Sequence, residues 1–239
     1  MQMNITYLSE SRSACEKEDV TDPLRNWQDA FNLPQDLIYL DGNSLGAMPK
    51  KALEQLEQTI RNEWAEDLIT SWNKAGWWKL PETLGELIAP VVGAASGQVI
   101  ISDSTSLNIY KSIHAALGLR QKRTVVISEA DSFPTNLYIM DGVATTRKNI
   151  QRRLLGKDGN TLDELLDDQV AVVSFSHINY RTGEILPIAE LVQQTHDAGA
   201  LFVLDTCHSA GVLPVELDQW GVDFAVGCTY KYLNGGPGS

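Results

Sequence analysis

Short apolar runs alternate with amphipathic stretches from about residue 98 to the end of the chain. The apolar runs are at 99–101, 125–127, 170–175, 201–204 and 224–226. Runs that do not alternate between apolar and polar positions are typical of strands buried on both faces. Helical stretches are predicted between them, at 106–119, 161–166 and 188–198. This order predicts an α/β domain with a mostly parallel sheet and helices on both faces.

The first part of the chain has a different pattern. Residues 1–48 are predicted to form an arm with a short helix, a short strand at 37–40 and a turn at 41–46. Pro49 is predicted to open a helix, and residues 49–239 are assigned to one large domain. Apolar residues recur at helical spacing after Pro49, which predicts a stripe buried in the core: Ala52, Leu53, Leu56, Ile60, Trp64 and Leu68.

Composition excludes several classes of function. The chain has 239 residues, enough for a sizeable core, and its formal net charge is −12. Because the longest basic run is Arg152-Arg153, no nucleic-acid partner is predicted. Three cysteines form no CxxC pair, and four histidines show no zinc spacing, so no metal site is predicted.

The N-terminal twenty residues lack both a basic start and an apolar stretch, so no signal peptide is expected. No apolar run approaches the roughly 18–20 residues that a membrane helix needs. The sequence therefore predicts a cytoplasmic protein that does not bind membranes.

Asp205 and Lys231 are the most informative pair of polar residues. Asp205 ends the apolar run LFVLD, and Lys231 follows the next apolar run, in TYKYLNGGPG. Ligands of parallel sheets gather at the carboxyl ends of strands. Pyridoxal 5′-phosphate needs a Lys amine for its Schiff base and a carboxylate facing its pyridine nitrogen. Alone, such an Asp is often a helix cap and such a Lys a surface charge, but together they predict a pyridoxal phosphate site.

Other candidate residues follow other predicted strands. Ser102–Asn108 combines hydroxyls with a helix N-terminus, which suits a phosphate group but also an ordinary N-cap. Phe133 precedes Pro134 at a strand end and is suited either to stack on a flat ring or to close a turn in the core. His177 and His208 are candidate acids, bases or orienting groups.

A series of sequence strings, in this order and spacing, resembles the kynureninase family. The strings are YLDGNSLGAMP, LITSWNKAGW, DSTSLN, FPTN, NYRTG, LDTCHSAG and VDFAVGCTYKYLNGGPG. The resemblance implies the large domain of a fold-type I pyridoxal phosphate enzyme, a homodimer that hydrolyses L-kynurenine to anthranilate and L-alanine. It places the chain in tryptophan catabolism and pyridine nucleotide biosynthesis. It also implies that the family's C-terminal small domain is absent from this chain, so the large domain is expected to be incomplete.

The resemblance assigns roles to the candidate residues. Lys231 would carry the cofactor, Asp205 would face its ring nitrogen with support from His208, and Tyr230 would assist catalysis. Asn43, Ser44 and Trp72 would lie near the substrate. The remaining cofactor-binding residues would be Thr105, Ser106, Phe133, Pro134, Thr135, Asn136 and Ser176.

Asn136 departs from the family motif FP[ST]D. An amide at this position keeps the size of the aspartate side chain and one hydrogen bond but loses a charge near the pyridine ring. The departure puts the full electron-withdrawing strength of the site in question.

Two other functions are compatible with the sequence. Another fold-type I enzyme, such as a cysteine desulfurase or a small-substrate aminotransferase, would share the Asp-to-Lys pattern but not YLDGNSLG or SWN. The second is a non-catalytic fragment that binds the cofactor weakly or serves only as a dimerising piece. Product analysis with kynurenine distinguishes another fold-type I enzyme from a kynureninase. Measurements of cofactor absorbance and turnover distinguish a non-catalytic fragment from an active enzyme.

Overall fold

A computed structural model describes residues 12–147 and 149–239. The part of the predicted arm that precedes residue 12 lies outside the described residues. The helices are α1 (Arg12–Thr21), α2 (Lys50–Gln58), α3 (Ser71–Lys74), α4 (Leu80–Ile88), α5 (Thr105–Leu119), α6 (Pro134–Thr146), α7 (Leu162–Leu165), α8 (Ile188–Asp197) and α9 (Leu217–Trp220). The strands are β1 (Phe31–Asn32), β2 (Met48–Pro49), β3 (Val125–Glu129), β4 (Gln151–Leu155), β5 (Val170–Ser176), β6 (Leu201–Asp205) and β7 (Phe224–Val226).

The strands β3 to β7 form one five-stranded sheet in the order β4-β3-β5-β6-β7. Every neighbouring pair in this sheet is parallel, which confirms the predicted α/β class. The strands β1 and β2 form a separate antiparallel pair. The strand β4 was not predicted, because it is an edge strand with the polar sequence QRRLL and no fully buried side chain.

Helices cover both faces of the sheet, as the sequence predicts. One buried cluster joins α5 and α6 to the sheet, with Ile113 and Val172 among its members. The other cluster joins α8 to the opposite face, with Val173 and Val192 among its members. Each such side chain contributes about 1.5–3 kcal/mol of hydrophobic stabilisation when fully buried. The two clusters fix the sheet rigidly beneath the strand ends.

The predicted strands at 37–40 and 99–101, both within the described chain, are not formed. Ile38 is 86% exposed, so the first segment has no core to face. The second segment lies against α4, where the N–H of Ile101 donates to the carbonyl of Pro81. Gly85 in α4 permits this approach, because a Cβ there would lie 1.9 Å from the carbonyl oxygen of Val99.

The apolar stripe after Pro49 is exposed. The helix α2 begins at the residue after Pro49, as predicted, but it ends at Gln58, and a π-helical turn, Thr59–Trp64, follows it. Leu56 is 56% exposed and Trp64 is 66% exposed. The prediction that this stripe lies in the core is wrong, because no element of the described chain covers it.

The register of the sheet brings several polar residues to one edge. Ser176 at the end of β5 pairs with Asp205 at the end of β6, and Asp205 pairs with Val226 at the end of β7. Glu129 ends β3 on the other side of β5. No helix of the described residues is long and apolar enough to cross a membrane.

Candidate active site

A cavity opens at this edge of the sheet, beside the start of α5. It encloses about 610 Å³ of space, counting its open mouth. Most of the predicted cofactor residues line it together: Thr105, Ser106, Phe133, Thr135, Asn136, Ser176, Asp205, His208, Tyr230 and Lys231. The predicted acid and the predicted amine therefore share one site.

Two hydrogen bonds orient the carboxylate of Asp205. Its Oδ1 accepts the backbone N–H of Cys207 at 2.8 Å. Its Oδ2 accepts the side-chain amide of Asn136 at 3.0 Å. An aspartate at position 136 would place a second carboxylate against Asp205, and two such groups repel each other. Asn136 therefore supplies a hydrogen-bond donor where the family motif supplies a charge.

Lys231 is buried, with 8% of its surface exposed. Its Nζ lies 2.8 Å from Nε2 of His208. His208 was predicted to support Asp205, but its imidazole is hydrogen-bonded to the amine of Lys231 instead. Burial, followed by the positive charge of Lys231, lowers the pKa of His208, and Asp205 opposes this effect. The imidazole is therefore neutral at neutral pH.

The turn at 41–46 fastens the loop that carries Lys231. The N–H of Gly46 donates to the carbonyl of Tyr230 at 2.7 Å. The side-chain amide of Asn234 donates to the carbonyl of Ala47 at 3.0 Å. The GNSLG string and the lysine loop, far apart in the sequence, are therefore one structural unit.

Replacing Gly46 with alanine is expected to distort this unit. The new Cβ would lie 2.2 Å from the carbonyl oxygen of Lys231, so the backbone of the lysine loop must move. We expect the free energy of unfolding, measured by chemical denaturation, to fall by about 1–3 kcal/mol. Gly42→Ala is the matched control, because its Cβ would meet only the Tyr232 ring at 3.8 Å. Equal stability of the two variants would contradict the expected strain.

The start of α5 forms another wall of the cavity. The hydroxyl of Ser104 caps the helix by accepting the N–H of Leu107 at 3.4 Å. Thr105 is held in place because its hydroxyl donates to the carbonyl of Gly227 at 3.1 Å. The first N–H groups of a helix lack partners within the helix, so Thr105 and Ser106 are suited to receive an anion such as a phosphate.

Aromatic groups border the cavity. Phe133 is partly exposed and meets Tyr180 edge to face, with ring centroids 5.2 Å apart. Pro134 does not line the cavity but occupies the first position of α6, so its predicted role is structural. Burial, followed by the nearby thiols of Cys228 and Cys207, raises the pKa of Tyr230 to about 12. Its hydroxyl therefore remains a hydrogen-bond donor at neutral pH.

The predicted substrate residues are not among those that line the cavity. Ser44 donates its hydroxyl to Asp41 at 2.8 Å. The backbone of Asn43 interacts with the ring of His208, which lines the cavity. Trp72 packs against Trp78, with ring centroids 5.9 Å apart, in an aromatic cluster that also contains Trp77. The substrate contacts of these residues stay predictions.

Glu129 lines the cavity and was not predicted. It is buried, and its carboxylate accepts the backbone N–H of Ser176 at 3.1 Å. Burial raises the pKa of Glu129 to about 8 despite that hydrogen bond, and the charges of Asp205 and Asp131 act in the same direction as burial. Glu129 could have been identified from its position at the end of β3, because other candidate residues lie at the ends of neighbouring strands. Cys207 also lines the cavity and went unpredicted.

Glu129→Gln is expected to change how stability depends on pH. In the folded chain the carboxyl stays neutral up to about pH 8, whereas in the unfolded chain it ionises near its usual pKa of 4.5. The folded state therefore loses stability as pH rises from about 4.5 to about 8. Glutamine keeps an acceptor for Ser176 but cannot ionise, so at pH 8 the variant should be more stable by a few kcal/mol. Urea unfolding at pH 5 and pH 8 measures this, and a difference between the two proteins that does not change with pH would contradict it.

A family model for aminotransferase class-V matches residues 38–238. The kynureninase of Burkholderia pseudomallei strain 1106a is 47% identical over 226 residues, covering 92% of this chain and 54% of that protein. The kynureninase of Pseudomonas fluorescens is 43% identical over 233 residues, covering 96% of this chain and 56% of that protein. These identities confirm the predicted resemblance. The chain spans about half the length of the curated relatives it matches.

Solved structures with the same fold include two cysteine desulfurases. CsdA from Escherichia coli superimposes with a TM-score of 0.72 at 19% identity, over 89% of this chain and 55% of that chain. The apo enzyme from Thermococcus onnurineus NA1 gives a TM-score of 0.68 at 21% identity, over 93% of this chain and 55% of that chain. At these identities the likeness shows the fold alone, and it confirms the predicted fold class.

Proposed function

Since the chain belongs to the aminotransferase class-V family, we propose that it forms part of a pyridoxal 5′-phosphate enzyme of the kynureninase type. The proposed reaction is L-kynurenine plus water to anthranilate plus L-alanine, with cleavage of the Cβ–Cγ bond. One observation carries the proposal: the buried amine of Lys231 and the oriented carboxylate of Asp205 line the same cavity. The identity to kynureninases favours this substrate over those of other family members.

The residues of the cavity fit pyridoxal phosphate. The cofactor needs an amine, a carboxylate and an anion site within one pocket. Lys231 offers the amine, Asp205 the carboxylate, and the start of α5 at Thr105 the anion site. Phe133 offers an aromatic face at the mouth of the cavity. We propose that these groups hold the cofactor, with Ser106, Thr135, Asn136, Ser176 and Tyr230 completing its contacts.

Bound pyridoxal phosphate supplies an electron-poor ring that stabilises the negative charge left when a bond to an amino acid's α-carbon breaks. The chain's own residues govern the protons. Nζ of Lys231 would hold the cofactor and would serve as the base for the proton on the substrate's α-carbon. Asp205 would favour a protonated ring nitrogen, because a carboxylate beside that nitrogen stabilises its charged form. Tyr230 lines the same cavity and its hydroxyl stays protonated at neutral pH, so it would serve as a proton donor.

The proposed reaction is tested by product analysis. The purified chain, supplied with pyridoxal phosphate and L-kynurenine, is assayed for anthranilate by fluorescence, and a parallel reaction with L-cysteine is assayed for sulfide. Anthranilate without sulfide supports the kynureninase function. Sulfide without anthranilate would assign the chain to the cysteine desulfurase group instead.

A non-catalytic chain is the second candidate, and the exposed apolar surface favours it. We define the α2 face as Leu53, Leu56, Ile60 and Trp64, all of which are exposed. Apolar patches of this kind mark surfaces that another protein surface covers. Joining the chain to the C-terminal part of the Burkholderia pseudomallei kynureninase separates the candidates. A gain of turnover only in the joined protein would identify the chain alone as a cofactor-binding fragment.

The remaining predictions are proposals of the same kind. We propose that the complete protein is a cytoplasmic homodimer that acts in tryptophan catabolism and pyridine nucleotide biosynthesis. The exposed α2 face supports the dimer, because apolar faces of this kind mark protein–protein contacts. Residues 49–239 are proposed as the cofactor-binding large domain and residues 1–48 as its arm. Light scattering of the purified protein measures the oligomeric state.

A further inference from the structure

Lys231 and His208 form a pair whose chemistry the proposed function does not use. Nζ of Lys231 lies 2.8 Å from Nε2 of His208, and this is its one hydrogen bond within the described part of the chain. No salt bridge joins Lys231 to an acid among the described residues. The nitrogen that must attack an aldehyde is thus in direct contact with an imidazole.

The imidazole faces that amine with a ring nitrogen at hydrogen-bond distance. Burial and the charge of Lys231 keep His208 neutral at neutral pH, and a neutral imidazole has one acceptor nitrogen. The backbone of Asn43, on the turn at 41–46, lies against the same ring and favours its protonated form. Asp205 also faces the ring and would stabilise the imidazolium once it forms.

We infer that His208 is the proton acceptor that activates Lys231. A proton leaves the ammonium Nζ for Nε2, 2.8 Å away, which leaves a neutral amine with a free lone pair and a short-lived imidazolium. Burial and the charge of Lys231 disfavour this imidazolium, and Asp205 opposes them in part. The amine would then add to the carbon of the cofactor aldehyde; the C=N bond forms as the C–O bond breaks, and the aldehyde oxygen leaves as water with the two protons of the amine. The inference rests on the proposed function, since it concerns the same lysine, and it assigns to His208 a reacting role rather than a cofactor contact.

Cys228 is the competing proton acceptor. Its hydrogen bond to Cys207 lowers the pKa of Cys228 to about 7, and Lys231 acts in the same direction. The thiol is buried and belongs to the strand-end segment that leads to Lys231. A Cys228→Ser variant therefore serves as the control that separates the two acceptors, because serine cannot take the proton at neutral pH.

The experiment measures capture of pyridoxal phosphate by Lys231 without any substrate. The chain is mixed with the cofactor, quenched with borohydride at timed intervals, and the modified peptide is quantified by mass spectrometry. At pH 7 both His208→Ala and His208→Gln should capture the cofactor about 10²-fold more slowly than the wild type. Added imidazole should restore the rate of His208→Ala but not of His208→Gln, whose side chain fills the space. Cys228→Ser should match the wild type.

The dependence of the capture rate on pH provides a second test, and its result cannot be explained by a variant that fails to fold. In the wild type the capture rate should be level above the pKa of His208, because the proton merely moves from one group of the pair to the other. In His208→Gln the rate should keep rising with pH up to alkaline values, so that its deficit shrinks. Equal melting temperatures of the variants show that the fold is intact.

Four results would overturn the inference. If His208→Gln captured the cofactor at the wild-type rate, the imidazole would only orient the amine of Lys231. If His208→Ala did so, His208 would have no role in the capture. If the capture rate of Cys228→Ser no longer became level with pH, the proton acceptor would be the thiol of Cys228. If the wild type formed no adduct on Lys231, the proposed function would be overturned as well. This outcome separates a failure of the proposed function from a failure of the inference about His208 alone.

Discussion

Lys231→Ala is expected to abolish covalent binding of pyridoxal phosphate and to lower turnover of kynurenine by at least about 10⁴-fold. The buried amine at position 231 is both the attachment point and the base in the proposed reaction. Asp205 and the start of α5 remain in the variant, so the cofactor should still bind, but reversibly. Absorption spectra before and after dialysis measure this: the wild type keeps its cofactor band and the variant loses it.

Lys122→Ala is the control for this result, because Lys122 is exposed in the turn after α5 and is remote from the cavity. It should retain both the dialysis-resistant band and the turnover of the wild type. A Lys231→Ala protein that kept both would show that another lysine carries the cofactor, and the assignment of Lys231 would be wrong.

Asp205→Asn is expected to lower turnover by about 10²–10³-fold while leaving the shape of the site nearly unchanged. The carboxylate is the charge that holds a proton on the ring nitrogen, and an amide cannot replace it. One hydrogen bond is also lost, because an amide oxygen at position 205 cannot accept from both Cys207 and Asn136. The free energy of unfolding should fall by about 1 kcal/mol.

The double variant Asp205→Asn with Asn136→Asp separates charge from hydrogen bonding. It restores an amide and a carboxylate as partners, so stability should recover. It places the carboxylate at position 136 and away from the ring nitrogen, so turnover should stay low. If turnover recovered together with stability, the position of the charge would not matter, and the role of Asp205 would be limited to structure.

The sequence predicted the central strands because they carry their own signal. The strands β5 and β6 are continuous apolar runs, and both faces of each are buried in the structure. The edge strand β4 lacks that signal, since its half-buried face needs few apolar residues. The helix α6 was missed for a related reason. Its apolar residues are interrupted by threonine, asparagine and glycine, and it is placed by contact with α5 and the sheet.

The apolar stripe of α2 shows the limit of periodicity as evidence. The helical spacing of Leu53, Leu56 and Ile60 predicts a helix with one apolar face. It does not tell which surface covers that face. In the described chain that surface is not present, and the side chains are exposed. Periodicity therefore identified the element but not its environment.

The site was predictable to the extent that strand ends reveal it. Asp205, Ser176 and Thr105 each follow an apolar run or start a helix, and the structure brings them to one cavity. The contact between His208 and Lys231 depends on how two loops meet in space, and no spacing in the sequence encodes it. The buried state of Glu129 likewise depends on β5 lying beside β3.

The central claim is that Asp205 and Lys231 hold two ends of one aromatic cofactor. A crystal structure of the chain grown with pyridoxal phosphate tests it most directly. We expect a covalent bond from Nζ of Lys231 to the aldehyde carbon and a carboxylate oxygen of Asp205 about 2.6–3.2 Å from the ring nitrogen. A cofactor bound outside this cavity, or with its phosphate rather than its ring nitrogen against Asp205, would contradict the account.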